Sequence, residues 1–306
     1  MSTREPGRRT LLRWSLGVTV LAGNAACSDL RPGPTASTTT RLPPTTPPGG
    51  RRTPDVRPTV DALPERPITP AQQARGSFSS SRMGGQRVAW EVLYPPGHSQ
   101  GSRLPVVVCL HGTGGNQGTV WGLRWGSTAP TLAQEGYRPF AVAGVAGGNG
   151  FWHPRLNGSD SGGMVLDEFL PLLGQMGLDV SRVGFYGISM GGLGAVWMGQ
   201  RLGSARLTAL ALSSLPFPTS WLELPGAYNT PFDFSANDVR ARWGELEGVP
   251  IRVEIGDQDP FLQGTQEFLD GATPRAELVV RPGGHNQDFW MSGALDQMRF
   301  LARHLG

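Results

Sequence analysis

Ser189 sits in Gly187-Ile188-Ser189-Met190-Gly191, with a glycine two positions away on either side. That spacing fits a serine on a tight strand-to-helix turn, where only glycine lets the neighbouring backbones approach. A serine so placed can attack an acyl carbon once a base takes its proton. Pro282-Gly283-Gly284-His285 supplies a histidine downstream, and Gly256-Asp257-Gln258-Asp259 supplies two carboxylates between serine and histidine. A carboxylate beside the base orients it and stabilises the imidazolium. The spacing from Gly256 favours Asp259, with Asp257 as the alternative. Negative charge developing on the acyl oxygen needs preorganised donors. The N–H of Met190, directly after the nucleophile, is one. The other is expected in Leu110-His111-Gly112-Thr113-Gly114-Gly115, from Thr113, or from Gly114 if that loop is shifted by one residue.

These residues need a frame. Leu104–Leu110 and Phe140–Val145 are continuous apolar runs, as expected of strands covered on both faces. Gln86–Tyr94 is a strand closed by Pro95-Pro96-Gly97, and Arg182–Tyr186 is a short strand leading into the serine turn. Leu207–Leu212, Ile251–Ile255 and Glu277–Arg281 complete the strands. Helical patterns fall at Thr128–Gly136, Asp160–Gly174, Gly191–Leu202, Leu262–Leu269 and Gln287–His304. Strands alternating with helices predict an α/β fold, a mostly parallel sheet with helices on both faces. The histidine, the acid and the oxyanion loop each follow a strand. Residues 213–248 break the rhythm and read as a short cap, whose Trp221, Tyr228, Phe232 and Trp243 either pack its core or grip an acyl or sugar group. Around the candidate site, His111, Gly114, Trp152, His153 and Asp160 are expected to line a substrate pocket, with loop packing and a helix N-cap at Asp160 as the alternatives.

The first 75 residues differ in kind. Residues 28–75 carry 11 prolines among Thr, Arg and Gly, too little apolar area to offset ordering entropy, and read as an extended linker. Residues 1–75 hold 11 Arg against 5 acids, whereas residues 76–306 hold 16 Arg against 19 acids. The net charge of +3 therefore sits outside the catalytic segment, which argues against a nucleic-acid partner. Residues 1–27 read as an export signal. Gly7-Arg8-Arg9-Thr10-Leu11-Leu12-Arg13 resembles a twin-arginine signature, and the apolar stretch Trp14–Ala26 is too short to span a bilayer. Small residues before Cys27 resemble a lipoprotein cleavage site, so a lipid on Cys27 is expected to tether the protein outside the membrane; cleavage near Ala25 or Ala26 is the alternative. Cys109, inside an apolar run, reads as a small buried hydrophobe.

From about Gln86 to Leu305 the chain resembles the esterase D type family of α/β-hydrolases, which takes in S-formylglutathione hydrolases, feruloyl and acetylxylan esterases and secreted mycolyltransferases. The resemblance rests on Tyr186-Gly187-Ile188-Ser189-Met190-Gly191-Gly192, on Gly256-Asp257-Gln258-Asp259-Pro260-Phe261, and on Gly283-Gly284-His285 followed by Phe289-Trp290. It implies an α/β-hydrolase fold, a Ser189, Asp259, His285 triad, no metal and no cofactor; ester hydrolysis is expected, and the outward address alone points to a small-molecule or cell-wall ester as substrate. An acyltransferase of the mycolyltransferase type shares every residue named, and a surface binding protein that has lost catalysis is a third reading.

Overall fold

In strand β3 (Pro105–Leu110), neighbouring residues serve two different cores. Val106, Val108 and Leu110 pack with Met164, Phe169, Met190 and Trp197, whereas Val107 and Cys109 pack with Leu132, Met298 and Leu301. Side chains alternate across a strand, so one covered on both faces is apolar at every position. β6 (Leu207–Ser213) divides the same way, with Leu210 and Leu212 on one side and Ala209 and Ala211 on the other. Each fully buried valine or leucine contributes about 1.5–3 kcal/mol.

The computed structural model describes residues 72–305. The segment 1–27 with Cys27, and all but the last residues of the stretch read as a linker, lie outside the described residues. The sheet has eight strands in the order β1 (Gln73–Ser79), β2 (Arg87–Leu93), β4 (Ala141–Val145), β3, β5 (Asp179–Ile188), β6, β7 (Ile251–Gly256) and β8 (Glu277–Arg281). β2 pairs antiparallel with β1 and β4, and every pairing from β4 to β8 is parallel. Parallel neighbours need crossovers. These carry α1 (Trp125–Gln134), α2 (Ser161–Met164), α3 (Leu170–Gln175), α4 (Met190–Arg206), α5 (Pro231–Asn237) and α6 (Leu262–Gly271), and α7 (Gln287–His304) follows the last strand.

Several boundaries differ from the sequence reading. β1 was not anticipated, and it takes up Gln73–Arg75 from the end of the expected linker. Its sequence is polar because it is an edge strand: only Ala74 and Phe78 are partly buried. β5 runs ten residues, since its exposed start and its Gly187-Ile188 end still pair with neighbours. Between α2 and α3 the helix widens into a π-turn at Val165–Phe169. There the Glu168 carboxylate accepts hydrogen bonds from the Ser81 and Arg82 amides at 2.9 and 3.2 Å, tying the β1–β2 turn to this helix. α4 is buried on nearly all sides from Met190 to Gln200, as suits a helix without a polar face. Within 213–248, Trp243 packs on Phe217 and Phe268, and Tyr228 packs on His153 and Phe234. These two aromatics are core, not grip. No helix among the described residues is long and apolar enough to cross a membrane.

Candidate active site

Loops at the carboxyl ends of β3, β5, β6, β7 and β8 bring Thr113, Ser189, Ser214, Asp259 and His285 to one edge of the sheet, where ligands of open parallel sheets bind. Ser189 stands between β5 and α4 with φ 51° and ψ −117°, a left-handed conformation strained for any residue but glycine. The flanking glycines are required sterically. A Cβ on Gly187 would lie 2.3 Å from the Gly191 carbonyl oxygen, and one on Gly191 would lie 2.1 Å from the Leu110 carbonyl oxygen. The Ser189 N–H donates to the Ser213 carbonyl at 2.8 Å, fastening the turn to β6.

His285 lies 2.9 Å from Ser189 through Nε2 and 2.9 Å from Asp259 Oδ2 through Nδ1. Asn286 caps α7 directly after it, its side chain accepting from the Phe289 N–H at 3.0 Å. Of the two candidate acids, Asp259 is the one that meets the histidine. Asp257 turns away and accepts the Gly283 N–H at 3.0 Å, closing the loop that carries His285. Burial of Asp259 disfavours its charge. Hydrogen bonds from His285, the Phe261 amide and the Ser214 hydroxyl outweigh that cost, and its carboxyl titrates below the ordinary carboxylate range. The imidazole is flanked by the rings of Phe261 and Trp290, at centroid distances of 5.1 and 5.2 Å and nearly perpendicular. Ser214 carried no motif, and sequence reasoning missed it.

Thr113 and Met190 both line the cleft above Ser189. Among the described residues, no loop carbonyl or side chain engages either N–H. Met190 also begins α4, whose N-terminal dipole favours negative charge. Gly114 is excluded as the second donor, because its N–H is committed to Asn149 Oδ1 at 2.8 Å.

The cleft has a volume of about 870 Å³. Its walls include Trp121, Phe151, Leu224, Phe261, Trp290 and Met291. None of the five residues expected to line it does so. His111 is buried behind the loop that carries Thr113, its Nδ1–H donating to the Gly112 carbonyl at 2.8 Å and its Nε2 accepting the Gly147 N–H at 3.0 Å. That leaves a neutral ring, and burial lowers its pKa accordingly. Trp152 is fully buried, with its indole N–H on the His111 carbonyl at 3.2 Å. His153 is buried with its ring nitrogens 2.9 Å from the Pro154 and Ala227 carbonyls, bracing the segment after β6. Asp160 caps α2, accepting the Gly163 N–H at 2.7 Å. Gly114 sits on the outside of its turn. In the four other residues the polar or aromatic side chain is used up inside the fold.

No family model and no curated protein matches the chain. Solved structures do. A ferulic acid esterase aligns with TM-score 0.65 and 21% identity, covering 78% of this chain and 100% of its own. An S-formylglutathione hydrolase from Agrobacterium tumefaciens aligns with TM-score 0.62 and 19% identity over 79% of this chain and 98% of its own. A fluorophosphonate-binding serine hydrolase of Staphylococcus aureus aligns with TM-score 0.62 and 16% identity over 76% and 99%. With this strand order and a strained serine turn between β5 and α4, the chain has the α/β-hydrolase fold, in common with ferulic acid esterases and S-formylglutathione hydrolases.

Proposed function

We propose that the protein is a serine esterase that hydrolyses carboxylic esters through Ser189, His285 and Asp259. The observation that carries this reading is the imidazole of His285 set between the Ser189 hydroxyl and the Asp259 carboxylate at 2.9 Å on each side. In the proposed reaction Ser189 Oγ bonds to the ester carbonyl carbon while its proton passes to His285 Nε2. The carbonyl oxygen, now an oxyanion, takes hydrogen bonds from the Thr113 and Met190 amides. Collapse breaks the bond to the alcohol, which leaves with the proton from His285. Water then attacks the acyl-serine, again through His285, and releases the acid. The cleft volume of about 870 Å³ accommodates a small-molecule ester.

The test is turnover of p-nitrophenyl esters from acetyl to palmitoyl by the full chain, beside labelling with a fluorophosphonate. Hydrolysis, with the label mapped to Ser189, is expected. A folded protein that neither reacts with the label nor cleaves any ester would sink the proposal.

Export belongs to the same proposal and rests on the sequence of residues 1–27. A lipid on Cys27 would hold the enzyme at the outer membrane face, where wall-borne or external esters reach it. In cell fractionation the wild-type chain is expected with membranes and Cys27→Ala in the soluble fraction. Equal distribution of the two would remove the anchor.

A further inference from the structure

Trp121 walls the cleft, yet 55% of its surface is exposed. An exposed indole is ordinarily free to change rotamer; this one is fixed from behind. Its N–H donates to Oε2 of Glu91 in β2 at 2.9 Å. Glu91 is buried, and among the described residues Trp121 is the side chain that meets its carboxyl. The backbone that carries the indole is held as firmly. Trp121 lies in a 3-10 helix, Gln117–Leu123, capped by Asn116, whose side chain accepts the Gly118 N–H at 2.8 Å. Val120 and Leu123 of that helix are buried in the core that contains Leu132 and Met298. β4 presses against its start, where a Cβ on Gly144 would lie 2.2 Å from the Gln117 carbonyl oxygen. A large ring held this way in water is a preformed stacking surface. A ligand ring that covers it gains apolar burial without the cost of ordering the side chain. The rest of the cleft bears on the ligand's charge. Among the described residues that wall it there is no Asp, Glu, Lys or Arg, so an ionised group would enter without a counter-charge.

We propose that Trp121 is a specificity-determining residue of this cleft: it selects esters carrying an uncharged ring, which stacks on the indole. Glu91 is the positioning residue that aims the indole. The inference rests on the esterase reading above and deepens it to a substrate class. The chemistry required is a flat apolar ring face, and that ring can belong to the acyl group or to the alcohol. Trp121 exchanges no proton and bonds no reacting atom, so its effect falls on binding, in KM more than in kcat.

The experiment measures kcat and KM of the full-length chain on two matched pairs of esters. Ethyl 3-phenylpropanoate against ethyl hexanoate places the ring on the acyl side, and benzyl acetate against hexyl acetate places it on the alcohol. In the wild type, kcat/KM is expected to favour the ring ester roughly 10-fold in one pair, and that pair identifies the source of the ring. Trp121→Ala, at an exposed position where the fold tolerates it, is expected to shrink the preference to about 2-fold, mainly through KM. Glu91→Leu keeps the bulk, loses the acceptor and is expected to shrink it in the same way. Glu91→Gln, whose amide oxygen still accepts, is expected to restore it. A carboxylate placed para on the preferred ring is expected to lower kcat/KM about 10-fold. No ring preference in either pair, or one that survives Trp121→Ala, overturns the proposal. A charged ring ester cleaved as well as the neutral one overturns it too, and a preference kept in Glu91→Leu overturns the role of Glu91. If the wild type cleaves none of these esters, the esterase reading fails by itself. Binding of 3-phenylpropan-1-ol, followed by saturation-transfer NMR, then decides the stacking surface: a signal lost in Trp121→Ala upholds it, and absent or unchanged binding overturns it.

Discussion

Ser189→Ala is expected to lower kcat by about a million-fold and Asp259→Asn by about ten-thousand-fold, each with KM nearly unchanged. Alanine leaves no atom to bond the acyl carbon. Catalysis then falls to what the oxyanion donors and binding alone provide. Asparagine at 259 keeps the shape but donates an amide proton to His285 Nδ1, which forces the proton onto Nε2, the nitrogen that must accept from Ser189. Asp257→Asn is the control. Asp257 is exposed and holds only the Gly283 N–H, at 3.0 Å, so its loss is expected to cost less than about ten-fold. Steady-state kinetics on one p-nitrophenyl ester measures all three. Equal losses at 257 and 259 would mean that the geometry around His285 is not the working one. Because the Asp259 carboxyl titrates below the ordinary range, it stays ionised through mildly acid solution. Its contribution to stability is full above the unfolded value of about 3.9 and is lost only as pH falls through the lower folded value.

The second large effect is on stability. Glu254, in the middle of β7, is completely buried and meets two arginines there. Its Oε1 accepts from Arg281 of β8 through Nε at 2.9 Å and through Nη2, and its Oε2 accepts from Arg252 at 3.2 Å. Arg281 in turn reaches the Phe289 carbonyl at 3.2 Å and lies 4.5 Å from the Phe289 ring centroid. One carboxylate therefore ties together β7, which leads to Asp259, β8, which leads to His285, and the start of α7. Glu254→Ala leaves two guanidinium groups without their buried partner, at a cost of about 3–5 kcal/mol. For a domain of this size that is a fall of roughly 6–20 °C in melting temperature. Glu277→Ala removes the exposed partner of Arg252 and is expected to cost less than about 1 kcal/mol. Thermal melts of the two variants side by side check the contrast. A Glu254→Ala protein that melts with the wild type would show that the ion group contributes nothing.

What the sequence disclosed follows from which features are local. The serine turn is defined by five consecutive residues, and the steric need at Gly187 and Gly191 is local to them and the strand beside them. The doubly covered strands were legible for the same reason, since an uninterrupted apolar run has one common explanation. The polar residues around the cleft were not. His111, His153 and Asp160 each lie beside glycine or loop residues, and nothing in their neighbours tells whether a side chain turns toward the cleft or back into the fold. Trp152 is fully buried against α4, where a Cβ on Gly194 would lie 2.4 Å from it, a contact made across 42 residues of chain. β1 escaped because an edge strand needs no apolar pattern. Ser214 and Glu254 escaped because a lone serine after a strand and an acid within one both read as exposed.

His111 has a consequence for acid. Its Nε2 accepts the Gly147 N–H at 3.0 Å, and only an uncharged ring can do so. A proton therefore competes with Gly147 for the same lone pair. The folded protein resists that proton, and the unfolded chain takes it up near pH 6.5. The margin the pin provides is whole above that pH and shrinks as pH falls from there toward the lower folded value. Asp259 loses its charge only at more acid pH, below about 3.9. Acid thus erodes the hold on the loop that carries Thr113 before it reaches the Asp259 carboxylate.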